Sequence, residues 1–313
     1  MVFLKGNLMT SFNRFLLTIA LTMMWSPSFL FIKLAIQELP PLTVVTLRVS
    51  TAAFCFMLIL LWLWRSLPSG PAFWGRMAVM SFFSSVAPFA LFCYAEQTIE
   101  SALAAILNGM TPIFTAILAQ FFISSDRIGL QKCVGIILGT GGVLLLFAPK
   151  IIEGLNGTTM GMLAALAASF SYAISHIFGK KFTSGYKPFV APAAQMITSA
   201  LMLWPFVLVH DDFLNLPFPS FTAIGGVLGL GLLGTLCAFI IYYKLLEHSG
   251  PTAISMVACF FPVIGMCLGY LFFNETFTLW GLAGSGLIFL GMLLVNEVIT
   301  FKTKEAVIDN AKV

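Results

Sequence analysis

The chain has 313 residues, 59% of them hydrophobic and only 9% charged, with a net charge of +4. Soluble domains carry about a quarter charged residues, so a water-soluble globule is excluded and a bilayer protein is expected. The excess of lysine and arginine is explained by loop positions, so nucleic acid need not be invoked, and the six cysteines, which form no C-x-x-C pair, read as small apolar packing residues rather than a metal or redox site.

Charged positions leave ten largely uncharged windows: Phe15–Ile32, Val49–Trp64, Met77–Ala95, Ser101–Ser125, Cys133–Pro149, Gly154–Ser175, Pro188–Val209, Phe213–Tyr243, Ser249–Asn274 and Thr276–Asn296. A spanning helix needs roughly 17–25 mostly apolar residues, so the expected fold is an all-α integral membrane protein with ten transmembrane helices. Lys5 and Arg14 before the first window resemble the start of a secretory signal, but the apolar run is too long and lacks a small-x-small cleavage site, so it reads as a retained helix.

In the first span Trp25, Phe29 and Lys33 recur every four residues and so share one helical face. The ring suits a cavity wall, and the lysine reads as an interfacial anchor. The second span carries Arg48 inside its apolar stretch; a guanidinium there either holds helix carbonyls or faces a polar cavity, but does not face lipid. Pro88 in the third span removes a helical N–H, and the span ends at Tyr94. Ser101–Phe114, SALAAILNGMTPIF, brings the polar pair Asn108 and Thr111 up to Pro112, a second expected kink. Tyr172, His176 and Lys180 repeat the four-residue spacing in the sixth span, and Gln195 lies in the seventh. The eighth contains GLGLLG at Gly229–Gly234, a dinucleotide pattern in letters that lacks the strand it needs and so reads as packing, and it ends at Tyr243. The ninth begins PTAISMVACFFPVI at Pro251 and meets Pro262, the third kink. Glycines at Gly135/Gly139, Gly225/Gly229 and Gly265/Gly269 permit close helix approach.

The two halves repeat each other. At an offset of 147, Trp25 falls on Tyr172, Lys33 on Lys180, Pro41 on Pro188 and Arg48 on Gln195; at 149, Tyr94 falls on Tyr243, Asp126 on Glu275, Gly135 on Gly284 and Gly142 on Gly291. Residues 1–150 and 151–300 are therefore expected to be two five-helix repeats, with 301–313 a cytoplasmic tail. Five spans is an odd number, so the second repeat enters the membrane inverted. With the N-terminus inside, thirteen Lys and Arg of the loops and ends lie on the cytoplasmic side and only Lys33 and Lys150 outside, which places both termini in the cytoplasm. Inverted repeats around a midplane site are a common plan of secondary transporters.

TMMWSPSFLFIK in the first span, the P-x6-R of Pro41 and Arg48, SALAAILNGMTPIF, and the D/E-x8-G-x6-G spacing from Asp126 and Glu275 resemble the EamA-type family of the drug/metabolite transporter superfamily, over essentially the whole chain. The resemblance implies a ten-helix transporter of a bacterial inner membrane, its substrate cavity formed by spans one, three, four, six, eight and nine. This sequence departs from the family at Ser26 and Pro27, where a glycine usually follows the tryptophan.

The function expected is secondary transport of a small amphipathic metabolite, an amino acid or nucleoside-like compound, by alternating access. Cavity candidates are Trp25, Arg48, Tyr94, Asn108, Thr111, Tyr172, His176, Gln195 and Tyr243; hinge candidates are Pro88, Pro112 and Pro262. Carboxylates are missing from the span interiors, which favours facilitated diffusion or exchange over proton symport. No cofactor is expected; partners are the substrate, membrane lipids and a second copy contacted through the fifth and tenth spans. A membrane-embedded enzyme is disfavoured by the absence of H-E-x-x-H and G-x-S-x-G, whereas a lipid scramblase or non-transporting scaffold is the rival reading.

Overall fold

A computed structural model describes residues 10–99, 101–126, 128–154, 158–183, 185–261, 263–264 and 278–300. Pro262, Gly265, Gly269, Glu275 and the 301–313 tail lie outside the described residues. All regular elements described are helical: α1 Ser11–Trp25, α2 Ser28–Ala35, α3 Pro41–Trp62, α4 Pro71–Ser81, α5 Ala87–Ala95, α6 Ser101–Asn108, α7 Thr111–Phe122, α8 Leu130–Leu146, α9 Ala148–Glu153, α10 Thr159–Phe182, α11 Val190–His210, α12 Phe221–Leu228, α13 Ala238–His248, α14 Pro251–Ser255 and α15 Leu279–Val295. Two π-helical segments, Phe82–Val86 and Gly229–Cys237, join α4 to α5 and α12 to α13.

Among the described residues seven helical runs are long and apolar enough to cross a membrane: Ser11–Ala35, Pro41–Trp62, Pro71–Ala95, Leu103–Phe122, Thr159–Phe182, Val190–His210 and Phe221–His248. Three apolar helices are shorter, Leu130–Leu146, Pro251–Phe261 and Leu279–Val295. Their outward faces carry bare apolar side chains, with Phe54 66%, Phe121 78% and Leu201 67% exposed. Lipid solvates such surfaces and water does not, which together with the composition makes this a membrane protein.

Local chemistry explains where the helices start. Thr10, Thr158, Ser220 and Thr278 each accept a hydrogen bond from the backbone N–H three residues on, and Pro41, Pro71 and Pro251 occupy first-turn positions where a missing N–H is harmless. Interruptions are equally legible. Pro112 cannot donate to the carbonyl of Asn108, and Thr111 Oγ1 takes that freed carbonyl at 2.7 Å, so α6 stops and α7 begins after a turn at Gly109 and Met110. Ser26 and Pro27 split α1 from α2 in the same way, and Ser26 Oγ donates to Phe261 O at 2.9 Å across the molecule. Pro88 lies in the first turn of α5, directly after the π segment. In the ninth span the described break falls at Met256, earlier than the expected kink at Pro262.

The α8 and α15 glycines are spent on one another within the chain. A Cβ added to Gly142 would sit 2.6 Å from Gly284 O, and one added to Gly284 would sit 2.6 Å from Gly142 O. Only glycine permits that approach. In the eighth span, Gly226 and Gly229 pack on Phe31, and Gly231 on Thr51, so the GLGLLG run serves helix packing. Outside the spans, Asp211 Oδ2 accepts from Thr43 N–H and Oγ1 at 2.9 and 2.7 Å, and Asp126 Oδ2 accepts from Thr252 N–H at 2.9 Å while its Oδ1 meets Lys132 Nζ at 2.6 Å. These carboxylates tie the first half of the chain to the second.

Candidate functional site

A cavity of about 710 Å³, partly open to solvent, lies among α1, α2, α3, α5, α10, α13, α14 and the broken α6–α7 run. That size is ordinary for a small-molecule site. Its wall is a continuous chain of rings. Phe261 meets Phe29 at 6.0 Å between centroids, Phe29 meets Phe92 at 5.8 Å, Phe92 meets Tyr172 at 6.1 Å, Tyr172 meets His176 at 6.5 Å, His176 meets Tyr242 at 5.7 Å and Tyr242 meets Trp25 at 5.8 Å. Such spacings are those of attractive aromatic pairs, so the wall is both apolar and held in shape.

Polar groups fix the rings. Trp25 Nε1 donates to Gly234 O at 2.9 Å, and His176 Nδ1 lies 3.2 Å from Tyr242 Oη. The Gly234 carbonyl reaches sideways because it belongs to the π segment, whose wider turn misaligns backbone groups; Thr235 Oγ1 donates to Leu230 O, five residues back, at 2.9 Å.

Arg48 enters from α3 and is buried, 4% exposed. Its Nε donates to Thr235 Oγ1 at 2.7 Å, its Nη2 to Gly234 O at 3.1 Å, and its guanidinium carbon lies 3.7 Å from the centre of the Phe89 ring. The two readings of this residue from sequence are thus both met: it bonds a backbone carbonyl and it lines the cavity. The ion pairs among the described residues, Arg14–Glu297 and Lys132–Asp126, lie away from it. No Asp or Glu lines the cavity among the described residues, and no group of three His, Cys, Asp or Glu there is placed to hold a metal.

Of the nine positions singled out by sequence, Trp25, Arg48, Asn108, Thr111, Tyr172 and His176 line the cavity. The other three do not. Tyr94 is 46% exposed on the outer face of α5, a correction to its expected inward direction. Gln195 is fully buried but turned into the protein, with Nε2 donating to Ser85 Oγ at 2.8 Å and Oε1 accepting from Tyr243 Oη at 2.5 Å. Tyr243 is consumed by that bond, and its neighbour Tyr242 takes the cavity position instead. Adjacent residues on a helix differ by about 100° in direction, so choosing the wrong member of a Tyr-Tyr pair reverses the inference. Ser28, Ser84, Phe89, Phe92 and Phe239 were not foreseen; only the aromatic density of the third and eighth spans hinted at three of them. Lys180, read from sequence as a lipid anchor, donates to Leu246 O and Glu247 O at 3.1 and 2.9 Å near the end of α13, replacing intrahelical partners there.

Known proteins agree with this architecture. A solved crystal structure at 15% identity superposes with a TM-score of 0.75 over 92% of this chain and 99% of its own, which shows the fold alone. An uncharacterized transporter of Archaeoglobus fulgidus is 28% identical over 89% of this chain and 97% of its own length. A protein of Salmonella typhimurium described as a probable amino-acid metabolite efflux pump is 26% identical over 89% of this chain and 93% of its own. The model of the EamA-like transporter family matches residues 14–148 and again residues 159–297. With that family matched in both halves around a ring-lined cavity between apolar helices, the chain belongs to the EamA-like transporter family and is a membrane transporter.

Proposed function

We propose that the protein moves a small amphipathic metabolite, of the amino-acid or nucleoside-like class, through this cavity by alternating access. In this reading ten spans form two five-helix repeats of opposite orientation in the cytoplasmic membrane, with both termini inside. The double family match and the thirteen-to-two bias of loop cations support that arrangement. The observation that carries the mechanism is the convergence of interrupted helices on one ring-lined cavity. The α1–α2 break at Ser26 and Pro27 and the α6–α7 break at Gly109 and Met110 both lie beside lining residues, as does the Met256 turn. A helix broken where it meets the substrate can swing one end without dragging the other.

The cavity lining offers no carboxylate to carry a coupled proton among the described residues, which favours facilitated diffusion or exchange. The Salmonella relative described as an amino-acid metabolite efflux pump supports the size class. Purified protein in proteoliposomes should show saturable counterflow of a labelled metabolite, insensitive to a collapsed proton gradient. Flux driven only by an imposed gradient would overturn the coupling, and no flux of any metabolite would overturn the carrier. Asn108→Cys should react with membrane-impermeant thiol reagents applied from each side in turn, as the conformation changes.

A further inference from the structure

We infer that the cavity selects a monoanionic ligand, an aromatic carboxylate carrying no ammonium group, and that Arg48 and Ser28 receive the carboxylate. This rests on the carrier reading above and names its substrate class.

Arg48 is a cation in a buried site whose only partners are a hydroxyl, a backbone carbonyl and a ring. A guanidinium presents five N–H donors in a fixed fork. Two of them are used, leaving the two on Nη1 and one on Nη2 without a protein acceptor among the described residues. Burying a charge with no counter-ion is costly, so the site is electrostatically incomplete until an anion enters. The two bonds that Arg48 does make hold the fork still and point its unused edge at the cavity, the geometry in which a guanidinium binds a carboxylate by two parallel bonds.

Ser28 supplies the second, independent observation. Its Oγ is buried, lines the same cavity and has no hydrogen-bond partner. A buried hydroxyl without a partner costs free energy. Both groups lie over one bare residue: a Cβ on Gly234 would come within 2.8 Å of Ser28 Oγ and 3.6 Å of Arg48 Nη2. A carboxylate oxygen placed there accepts from both.

The absence of a lining carboxylate argues against zwitterions. A ligand ammonium would find Asn108 Oδ1 already accepting from Thr111 Oγ1 at 3.2 Å, and no Asp or Glu among the described lining residues. The chain of rings from Phe261 to Trp25 takes the apolar body.

The test compares binding of phenylacetate, 3-phenylpropanoate and indole-3-acetate with that of their uncharged amides and of phenylalanine, on the purified full chain, by titration calorimetry and thermal shift. At least one acid should bind ten-fold or more tighter than its amide and than phenylalanine. Arg48→Gln should erase that preference. Gly234→Ala keeps the guanidinium but fills the cradle, and should weaken the acid at least several-fold even if Arg48→Gln fails to fold. Equal binding of acid and amide, tighter binding of phenylalanine, no binding of any acid, or a preference that survives Arg48→Gln would each overturn the inference. Flux of a neutral metabolite without acid preference would sink the anion site and leave the carrier standing. Acid-selective binding with no flux would do the reverse.

Discussion

At one corner of the molecule Arg48 donates to Thr235 Oγ1 at 2.7 Å; at the corner built from the matching residues, Gln195 donates to Ser85 Oγ at 2.8 Å. Both side chains reach from the second helix of their half to a π-helical segment of the other half, and the two segments, Phe82–Val86 and Gly229–Cys237, overlap at an offset of 149. The frameworks match and the electrostatics do not. Gln195 is neutral, closed off by Tyr243 and remote from the cavity, whereas Arg48 is charged and keeps donors turned toward it. A duplicated scaffold can thus keep the same cross-bracing twice while one brace holds the protein together and the other also meets the ligand.

Replacing Gln195 by arginine is the severest challenge to that asymmetry. A second cation would be buried against Ser85 and Tyr243 with no anion, at a cost of about 3–5 kcal/mol. Gln195→Arg should unfold at markedly lower denaturant than the wild type. Stability equal to wild type would mean that the two corners are interchangeable. Arg48→Gln should act on transport instead: losing charge-assisted bonds of about 1.5–3 kcal/mol predicts a roughly 10–100-fold lower affinity for a carboxylate probe in counterflow, with thermal stability unchanged or raised. Ser85→Ala removes the acceptor of Gln195 Nε2 and should cost about 1 kcal/mol of stability, read by chemical denaturation, with probe affinity unaltered.

The smallest effect belongs to a brace outside the spans. Glu38 accepts from the hydroxyl and the backbone N–H of Ser220, at 2.5 and 2.7 Å, and these bonds hold its carboxyl below the ordinary value of 4.5. A lowered folded-state pKa means that the contribution is complete above 4.5 and is lost as pH falls through the folded value. Glu38→Gln should therefore lower the melting temperature slightly at neutral pH, and the difference should vanish in acid.

Much of this was legible in the residues. Apolar windows gave the membrane helices because a bilayer sets their length, and Pro112 announced a break because no ring nitrogen can donate to Asn108 O. The π segments were not legible. Phe82–Val86 holds no residue type that demands a widened turn, and its form is fixed by what packs on it, as where Ser171 Oγ donates to Phe83 O at 2.9 Å. That hidden geometry also concealed the direction of residues beyond it, so Tyr94 and Tyr243 were expected where Phe92 and Tyr242 stand. Lys180 was misread for a related reason: a lysine at a membrane edge has the same sequence context whether it seeks headgroups or, as here, the carbonyls of α13.

The mutual glycine contact between α8 and α15 leaves those two helices unable to rotate or slide independently, since a side chain on either would collide at once with the neighbour's main chain. They therefore offer an internal ruler. Spin labels on their exposed faces, at Ile137 and Leu290, should report one unvarying separation, against which displacement of any other helix can be calibrated in ångströms.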